Sequence, residues 1–341
     1  MAPSTSWIAS RPEISVADAA IALGRWWGLQ GDLEDLPSER DRNLLVRGND
    51  EAPTHVFKIA NLDEAADFLA CQDLAMARLT NAGVPVQRVV NAIDGRDVVP
   101  LGDPGPPLAR VLTWLPGRTL ASIESPTTDL LTDLGAVMGR SATALLEFDH
   151  PAAHREFPWD VVRAGAVIGE ALDELDDVAR RTLLTAVLGR LRADLMPQLA
   201  TLRRSVIQND ANDHNILVSD DGTRIVGLLD FGDMIHSITA HEAGVACAYA
   251  MLGRDDPLSM MQAVIQGFVG TCPLTADEID VLPSLAIARL ATSVAMSARQ
   301  GRLSDDPYLR VSEAPAWDLL ERLHGLAPSE LRVAAHQAAA R

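Results

Sequence analysis

The chain has 341 residues, 48% of them hydrophobic and 22% charged, with a formal net charge of −18. That balance excludes a disordered chain, and the length implies more than one compact core. An acidic surface repels phosphate backbones and anionic headgroups, so neither nucleic acid nor membrane is an expected partner.

In chain order, residues 15–27 read as a helix capped by Ser15 and ending on Trp26 and Trp27. Strand character follows at 44–46 and 54–59. Asn61 with Glu64 reads as a capping box opening a helix to about Leu79, with Gly83 and Pro85 as stop signals. Further strand-like pieces lie at 86–92, 97–101 and 109–114. Leu115-Pro116-Gly117 is a break, beyond which the pattern turns helical, at 127–148, 160–172, 176–195, 239–252, 256–270, 275–299 and 315–324. Thr275 with Glu278 forms a second capping box. One β-hairpin, 206–230, turned on Asp221-Gly222, interrupts the helices. The expectation is an α+β chain: a small N-terminal lobe (1–115) and a larger, mainly helical C-terminal lobe (116–341).

No apolar run is read as a membrane span, and the first residues lack the blocks of a signal peptide. Cys71, Cys247 and Cys272 show no metal-ligand spacing and read as buried free thiols, placing the protein in a reducing cytoplasm. His236 and His241-Glu242 do not form H-E-x-x-H, and neither a Walker A loop nor a G-x-S-x-G elbow is present. Trp114 and Trp159 read as core or hinge packing.

Of 29 basic residues, one is lysine, Lys58, set among apolar neighbours in Val56-Phe57-Lys58-Ile59-Ala60. Lysine is a compact charge on a flexible stem, suited to phosphate oxygens. Downstream, Asn209-Asp210 leads into a loop closed by Asn215, and a returning strand ends on Asp230-Phe231-Gly232-Asp233. An amide oxygen and a carboxylate are donors that Mg²⁺ takes alongside substrate phosphates. Phosphoryl transfer needs a carboxylate for the acceptor hydroxyl, a metal on the phosphates and a cation on the nucleotide. Asp210, Asn215 with Asp230, and Lys58 supply one candidate for each.

This pattern resembles the aminoglycoside phosphotransferase and choline kinase group, and within it the hydroxylysine-kinase-like branch. The segments that carry the resemblance are 36–41, Phe57–Asn61, Leu112–Arg118, Phe148–Pro151, Asn209–Asp213, Asp230–Met234 and 312–317. The resemblance implies a protein-kinase-like two-lobed fold with an antiparallel sheet in the N-terminal lobe. It implies transfer of the γ-phosphate of ATP or GTP, with Mg²⁺, to a hydroxyl of a small cationic acceptor, best guessed as hydroxylysine-like. Asp210 would be the catalytic base, Asn215 and Asp230 the metal ligands, and Lys58 the phosphate-pairing lysine. Ser38 to Asn43 would cover the phosphates, and Thr113, Trp114 and Leu115 would form the hinge under the base. Glu242 is a candidate for a substrate ammonium group, or simply an acid at a helix N-terminus.

Two positions depart from the family pattern. Gln208 stands where a bracing histidine is usual, and glutamine can still donate and accept. Ala70-Cys71-Gln72 stands where relatives read Glu-x-Gln; Asp67, Asp73 or Glu64 could substitute for the missing acid, and if none does, Lys58 is poorly oriented. These departures motivate an alternative, a nucleotide-binding pseudokinase regulating a metabolic partner. A third reading keeps the chemistry with an antibiotic, an aminoglycoside or macrolide, as acceptor.

Overall fold

A computed structural model describes residues 11–38, 40–48, 50–102, 105–300 and 313–341. Glu39 and Ser312, both within segments singled out above, lie outside the described residues. The chain divides into two compact units, one running to Asn81 and resuming over Val86–Leu115, the other comprising Ala82–Pro85 and Pro116–Arg341.

In the first unit, α1 (Val16–Trp27) starts where the Ser15 hydroxyl accepts from the Asp18 N–H, and stops at Gly28, whose φ of 66° suits glycine. Its buried face of Ala19, Leu23 and Trp27 packs on Leu44, Phe57, Ile59, Val99 and Val111 of the sheet. The Trp27 ring meets Phe57 edge-on at 5.5 Å, and its indole N–H donates to the Val90 carbonyl at 2.9 Å. The sheet comprises β1 (Asp32–Leu36), β2 (Arg42–Arg47), β3 (Pro53–Ile59), β4 (Val89–Val90), β5 (Val99–Gly102) and β6 (Gly105–Thr113). Its order is β1-β2-β3-β6-β4, with β5 also on β6, and every pairing is antiparallel.

Strand β1 was not expected, because Asp32-Leu33-Glu34-Asp35-Leu36 is too acidic to show an apolar alternation. It is an edge strand, and cross-strand ion pairs of Arg42 with Asp35 (2.9 Å) and Arg47 with Glu34 (2.8 Å) supplement its ladder. The first capping box also needs correction. Asn61 Oδ1 accepts from the Asp63 N–H at 3.2 Å in a local turn, and the helix α2 (Ala66–Asn81) begins five residues later.

The second unit contains α3 (Thr128–Leu145), α4 (Ala164–Ala171), α5 (Val178–Asp194), α6 (His241–Met251), α7 (Pro257–Val269), α8 (Ala276–Gln300), α9 (Glu313–Gly325) and α10 (Pro328–Ala339). The Thr275–Glu278 capping box forms, each residue's backbone N–H donating to the other's side chain, at 2.8 and 3.2 Å. Helix α10 escaped the sequence reading because its buried face is mostly alanine, so its apolar stripe is faint.

The expected single hairpin is two separate ladders. Strand β9 (Ile216–Val218) pairs with β10 (Ile225–Leu228) and with β7 (Arg118–Thr119), whereas β8 (Arg204–Ile207) pairs with β11 (Ile235–Ile238). The turn 219–224 closes only the β9–β10 pair. Among the described residues one stretch, Ala276–Arg299 in α8, is apolar and long enough by composition to cross a membrane, but 78% of its most apolar window is buried inside the protein, as in a core helix. Helix α6 is buried at every residue, so neither helix shows the one-sided pattern of a surface helix.

Helices α3 and α7 approach to backbone contact through glycines. A Cβ on Gly267 would lie 1.8 Å from the Thr132 carbonyl oxygen, and one on Gly135 would lie 2.0 Å from the Val264 oxygen. Gly267→Val therefore forces the helices apart. The expected destabilisation is about 3 kcal/mol, the upper end for overpacking. Urea unfolding at constant m checks it, and an unchanged midpoint would refute the close-contact account.

Candidate active site

Strand β8 runs straight into Gln208, Asn209 and Asp210, and the pairing of β8 with β11 fixes where that segment emerges. Asn209 holds a left-handed backbone, φ 67°, which non-glycine residues rarely adopt. Three neighbours keep it there. The Glu242 carboxylate, on α6, accepts the N–H of Gln208 at 3.1 Å and of Asn209 at 3.0 Å. The Asn209 side chain donates to the Asp233 and Trp159 carbonyls at 3.3 and 3.4 Å.

Gln208 does the bracing expected of the histidine it replaces. Its Oε1 accepts from the Asp210 N–H at 2.8 Å, and its Nε2 donates to the Leu229 and Asp230 carbonyls at 3.0 and 2.5 Å. One buried amide thus ties the Asp210 segment to the Asp230 segment. The Leu229 N–H closes the group by donating to the Asn215 carbonyl at 2.8 Å.

Asp210 sits at the centre. Its carboxylate accepts from Asn212 Nδ2 on both oxygens at 3.0 Å, from Asn215 Nδ2 on Oδ2 at 2.7 Å, and from Arg289 Nη2 on Oδ1 at 2.8 Å. Asn215 Nδ2 also donates to the Asp210 carbonyl at 3.1 Å. A backbone carbonyl only accepts, so that amide nitrogen is the donor end and Asn215 presents Oδ1 on its other side. Asp230, φ 50°, accepts the Gly232 N–H on Oδ1 at 2.9 Å. An amide oxygen and a carboxylate on adjoining, mutually bonded segments are a hard-oxygen pair suited to Mg²⁺. Burial and the nearby Asp233 push the Asp210 carboxyl up to about 8, while Arg289 and Asn212 pull it back.

The structure corrects the reading of Glu242 as a substrate contact. Its side chain is fully buried and both oxygens are taken by backbone N–H groups, so it shapes the loop rather than facing a ligand. Burial pushes it up to about 7, against those two hydrogen bonds. Arg289, Asn212, Tyr249 and Trp159 were missed as site residues. Arg289 did leave a signal, being the lone charge in the apolar stretch 281–298, but its partner stands 79 residues away.

The first unit holds the other candidates. Lys58 on β3 is buried, with Nζ 3.9 Å from Asp41 Oδ2. Asp41 in turn accepts the Asn61 N–H and Nδ2 at 3.0 and 3.2 Å. Of the acids weighed as stand-ins at Ala70, Asp73 feels the Lys58 charge, which works against its raised pKa. It ion-pairs with buried Arg110, which faces Lys58 across the β3–β6 ladder and also bonds Gln72. Burial raises the Asp73 pKa and Arg110 lowers it. Ser38 is half-buried in the 37–41 connection, while Arg42 and Asn43, expected in that loop, belong to β2. Thr113 closes β6 with its Oγ1 accepting from the Arg88 N–H at 3.0 Å, and the Trp114 N–H donates to the Thr54 carbonyl at 3.0 Å. Leu115 ends this unit.

Comparison with known proteins covers most of the chain. A family model described as the phosphotransferase enzyme family matches residues 32–282. A hydroxylysine kinase from Xenopus laevis is 27% identical, the match spanning 93% of this chain and 91% of that protein. Among solved structures, a microcompartment-associated aminopropanol kinase superposes with a TM-score of 0.71 at 21% identity, covering 92% of this chain and 100% of the other. An amicoumacin kinase in complex with AMP-PNP and Ca²⁺ gives 0.69 at 15% identity, covering 91% and 95%. These structures carry the expected protein-kinase-like fold.

Replacing Glu242 by Gln turns one acceptor oxygen into an amide NH₂ donor facing a buried N–H. The expected cost is about 1–3 kcal/mol in denaturant unfolding. A second prediction concerns pH. Asp210 and Glu242 are raised from 3.8 to about 8 and from 4.5 to about 7, so the native state holds protons that the unfolded chain releases. Their contribution to metal-free stability is full below the unfolded values and falls as pH rises through that window. Midpoints compared at about pH 5 and about pH 8.5 should show the fall, and Glu242→Gln should flatten part of it; an unflattened slope would refute the assignment.

Proposed function

The chain belongs to the phosphotransferase enzyme family, and from that premise we propose that it transfers the γ-phosphate of ATP or GTP to a hydroxyl of a small, amine-bearing acceptor. It is a small-molecule kinase acting on an alcohol group. The observation that carries the reading is the placement of Asn215. Its amide nitrogen is spent on Asp210, which leaves its oxygen for a cation beside Asp230.

In this reading Asp210 accepts the hydroxyl proton as the acceptor oxygen bonds to the γ-phosphorus, and the bond from that phosphorus to the β–γ bridging oxygen breaks to leave the nucleoside diphosphate. Asn215 and Asp230 would hold Mg²⁺, which when bound neutralises phosphate charge. Lys58 supplies the cation for the nucleotide phosphates, with the Asp41 carboxylate beside it. Ser38 contributes to the phosphate cover, and residues 113–115 form the rest for the base. A reducing, cytoplasmic location fits the three cysteines, all buried and free.

The acceptor class rests on what similar proteins are named for. Hydroxylysine and aminopropanol both combine an amine with a hydroxyl, so 5-hydroxylysine is the first acceptor to test.

A Mg²⁺-dependent nucleotide-consumption assay with ATP and GTP, over hydroxylated amino acids, amino alcohols and aminoglycosides, tests the reading. Turnover is expected with a hydroxyl-bearing amine. Asp210→Asn should lower kcat by roughly 10²–10⁴-fold with folding intact, the range for removing a general base. Lys58→Met should lower kcat/KM for the nucleotide. Undiminished turnover in Asp210→Asn would sink the assignment, and turnover confined to an antibiotic would move the acceptor class.

A further inference from the structure

Arg289 makes contacts that the family motif does not describe. Its guanidinium is 4% exposed, on α8, yet it reaches the Asp210 segment at two points. Nη2 donates to Asp210 Oδ1 at 2.8 Å, and Nη1 donates to the Asn209 carbonyl at 3.3 Å. The group lies against two rings, 4.3 Å from the Trp159 centroid and 5.5 Å from that of Tyr249, and Nη2 also donates to the Tyr249 hydroxyl at 3.3 Å.

A buried guanidinium is a costly way to gain stability. Desolvation offsets much of the attraction, and apolar replacements of buried ion pairs are often neutral or better. What the arrangement does supply is direction. A carboxylate on a single-bonded stem can rotate about χ2, and a planar guanidinium with one nitrogen on a carboxylate oxygen and the other on the preceding carbonyl restricts that rotation. With Arg289 on Oδ1 and Asn215 on Oδ2, the two oxygens of Asp210 are assigned to opposite sides.

The helices explain the reach. A Cβ on Gly244 of α6 would lie 2.7 Å from the Leu285 Cβ of α8, so the helices touch closely there. Arg289 is one turn beyond Leu285 on the same face, and Tyr249 is two turns beyond Glu242 on α6. One crossing thus delivers two clamps onto one strained stretch. Glu242 takes the N–H groups of residues 208 and 209, while Arg289 takes the carbonyl of 209 and the carboxylate of 210.

We propose that Arg289 is a positioning residue for phosphoryl transfer, one that fixes the orientation of the Asp210 carboxylate toward the acceptor hydroxyl. This rests on Asp210 being the base. It acts on the turnover step and leaves nucleotide binding alone.

The test uses the full chain with Mg²⁺, nucleotide and 5-hydroxylysine, or the basal hydrolysis of the nucleotide by water if that acceptor is not used. Arg289→Met should lower kcat by about 10²-fold, the scale of a roughly 1 Å misplacement, with the dissociation constant of a fluorescent ATP analogue unchanged. Arg289→Lys should recover about tenfold of that loss, because an ammonium restores the charge and one hydrogen bond without the fork. Tyr249→Phe keeps the ring, removes one partner of the guanidinium and guards against a misfolded Arg289→Met. It should lower kcat by a few fold with the melting temperature held. Crystal structures of the variants should show the Asp210 carboxylate rotated.

Full kcat in Arg289→Met would overturn the proposal. So would losses of kcat and of nucleotide binding in parallel, with no recovery in Arg289→Lys. Asp210→Asn run alongside separates the two levels. If it keeps turnover, the assignment of the base fails. If it is inactive while Arg289→Met is fully active, only the role of Arg289 fails.

Discussion

The interaction on which the site depends is the capture of two consecutive backbone N–H groups, those of Gln208 and Asn209, by the buried carboxylate of Glu242. Just beyond the captured N–H groups, Asn209 enters the left-handed region at φ 67°. That turn lifts Asp210 out of the line of β8 and into the reach of Asn212, Asn215 and Arg289. A buried acid is costly unless its lone pairs are filled, and here two backbone donors fill them. The same desolvation raises the Glu242 pKa, so the clamp and the pH sensitivity have one cause.

Around that turn the protein distributes bracing duties among neutral amides. Gln208 spans the Asp210 and Asp230 segments with both ends of its side chain, Asn212 bridges the two oxygens of Asp210, and Asn215 bonds its carboxylate and carbonyl. An amide has a fixed donor end and a fixed acceptor end, so a network of this kind has one consistent orientation. A histidine at position 208 would offer two ring nitrogens, whereas glutamine offers two donor hydrogens on one atom and an acceptor on the next. The departure from the family pattern at Gln208 therefore keeps a side chain that both donates and accepts across the two segments.

In the first unit the charges are redistributed in a different way. With alanine at position 70, α2 offers no acid there, and Asp73 together with Gln72 engages Arg110. Lys58 and Arg110 stand side by side on neighbouring strands, two buried cations that would repel each other without local anions. Asp73 serves Arg110, and Asp41, delivered by the β1–β2 connection and held by Asn61, stands beside Lys58.

The sequence by itself determined the candidates for the chemistry and most of the local signals around them. The lone Lys58 among apolar neighbours, the spacing from Asp210 to Asn215, the Asp230-Phe231-Gly232 strand end, the Ser15 cap, the Thr275–Glu278 box and the break after Leu115 are all local patterns. The tertiary structure decided how those residues are held. Glu242 lies 34 positions from Gln208 and Arg289 lies 79 from Asp210, so no local periodicity records either pairing. Strand β8 pairs with β11 instead of β10, and β1 is held by ion pairs where a sequence reading looks for apolar alternation. Local sequence fixes caps, turns and periodicity because their partners are a few residues away. Which buried acid meets which buried donor depends on helices α6 and α8 touching at Gly244 and Leu285, a contact that exists only once the whole second unit has packed.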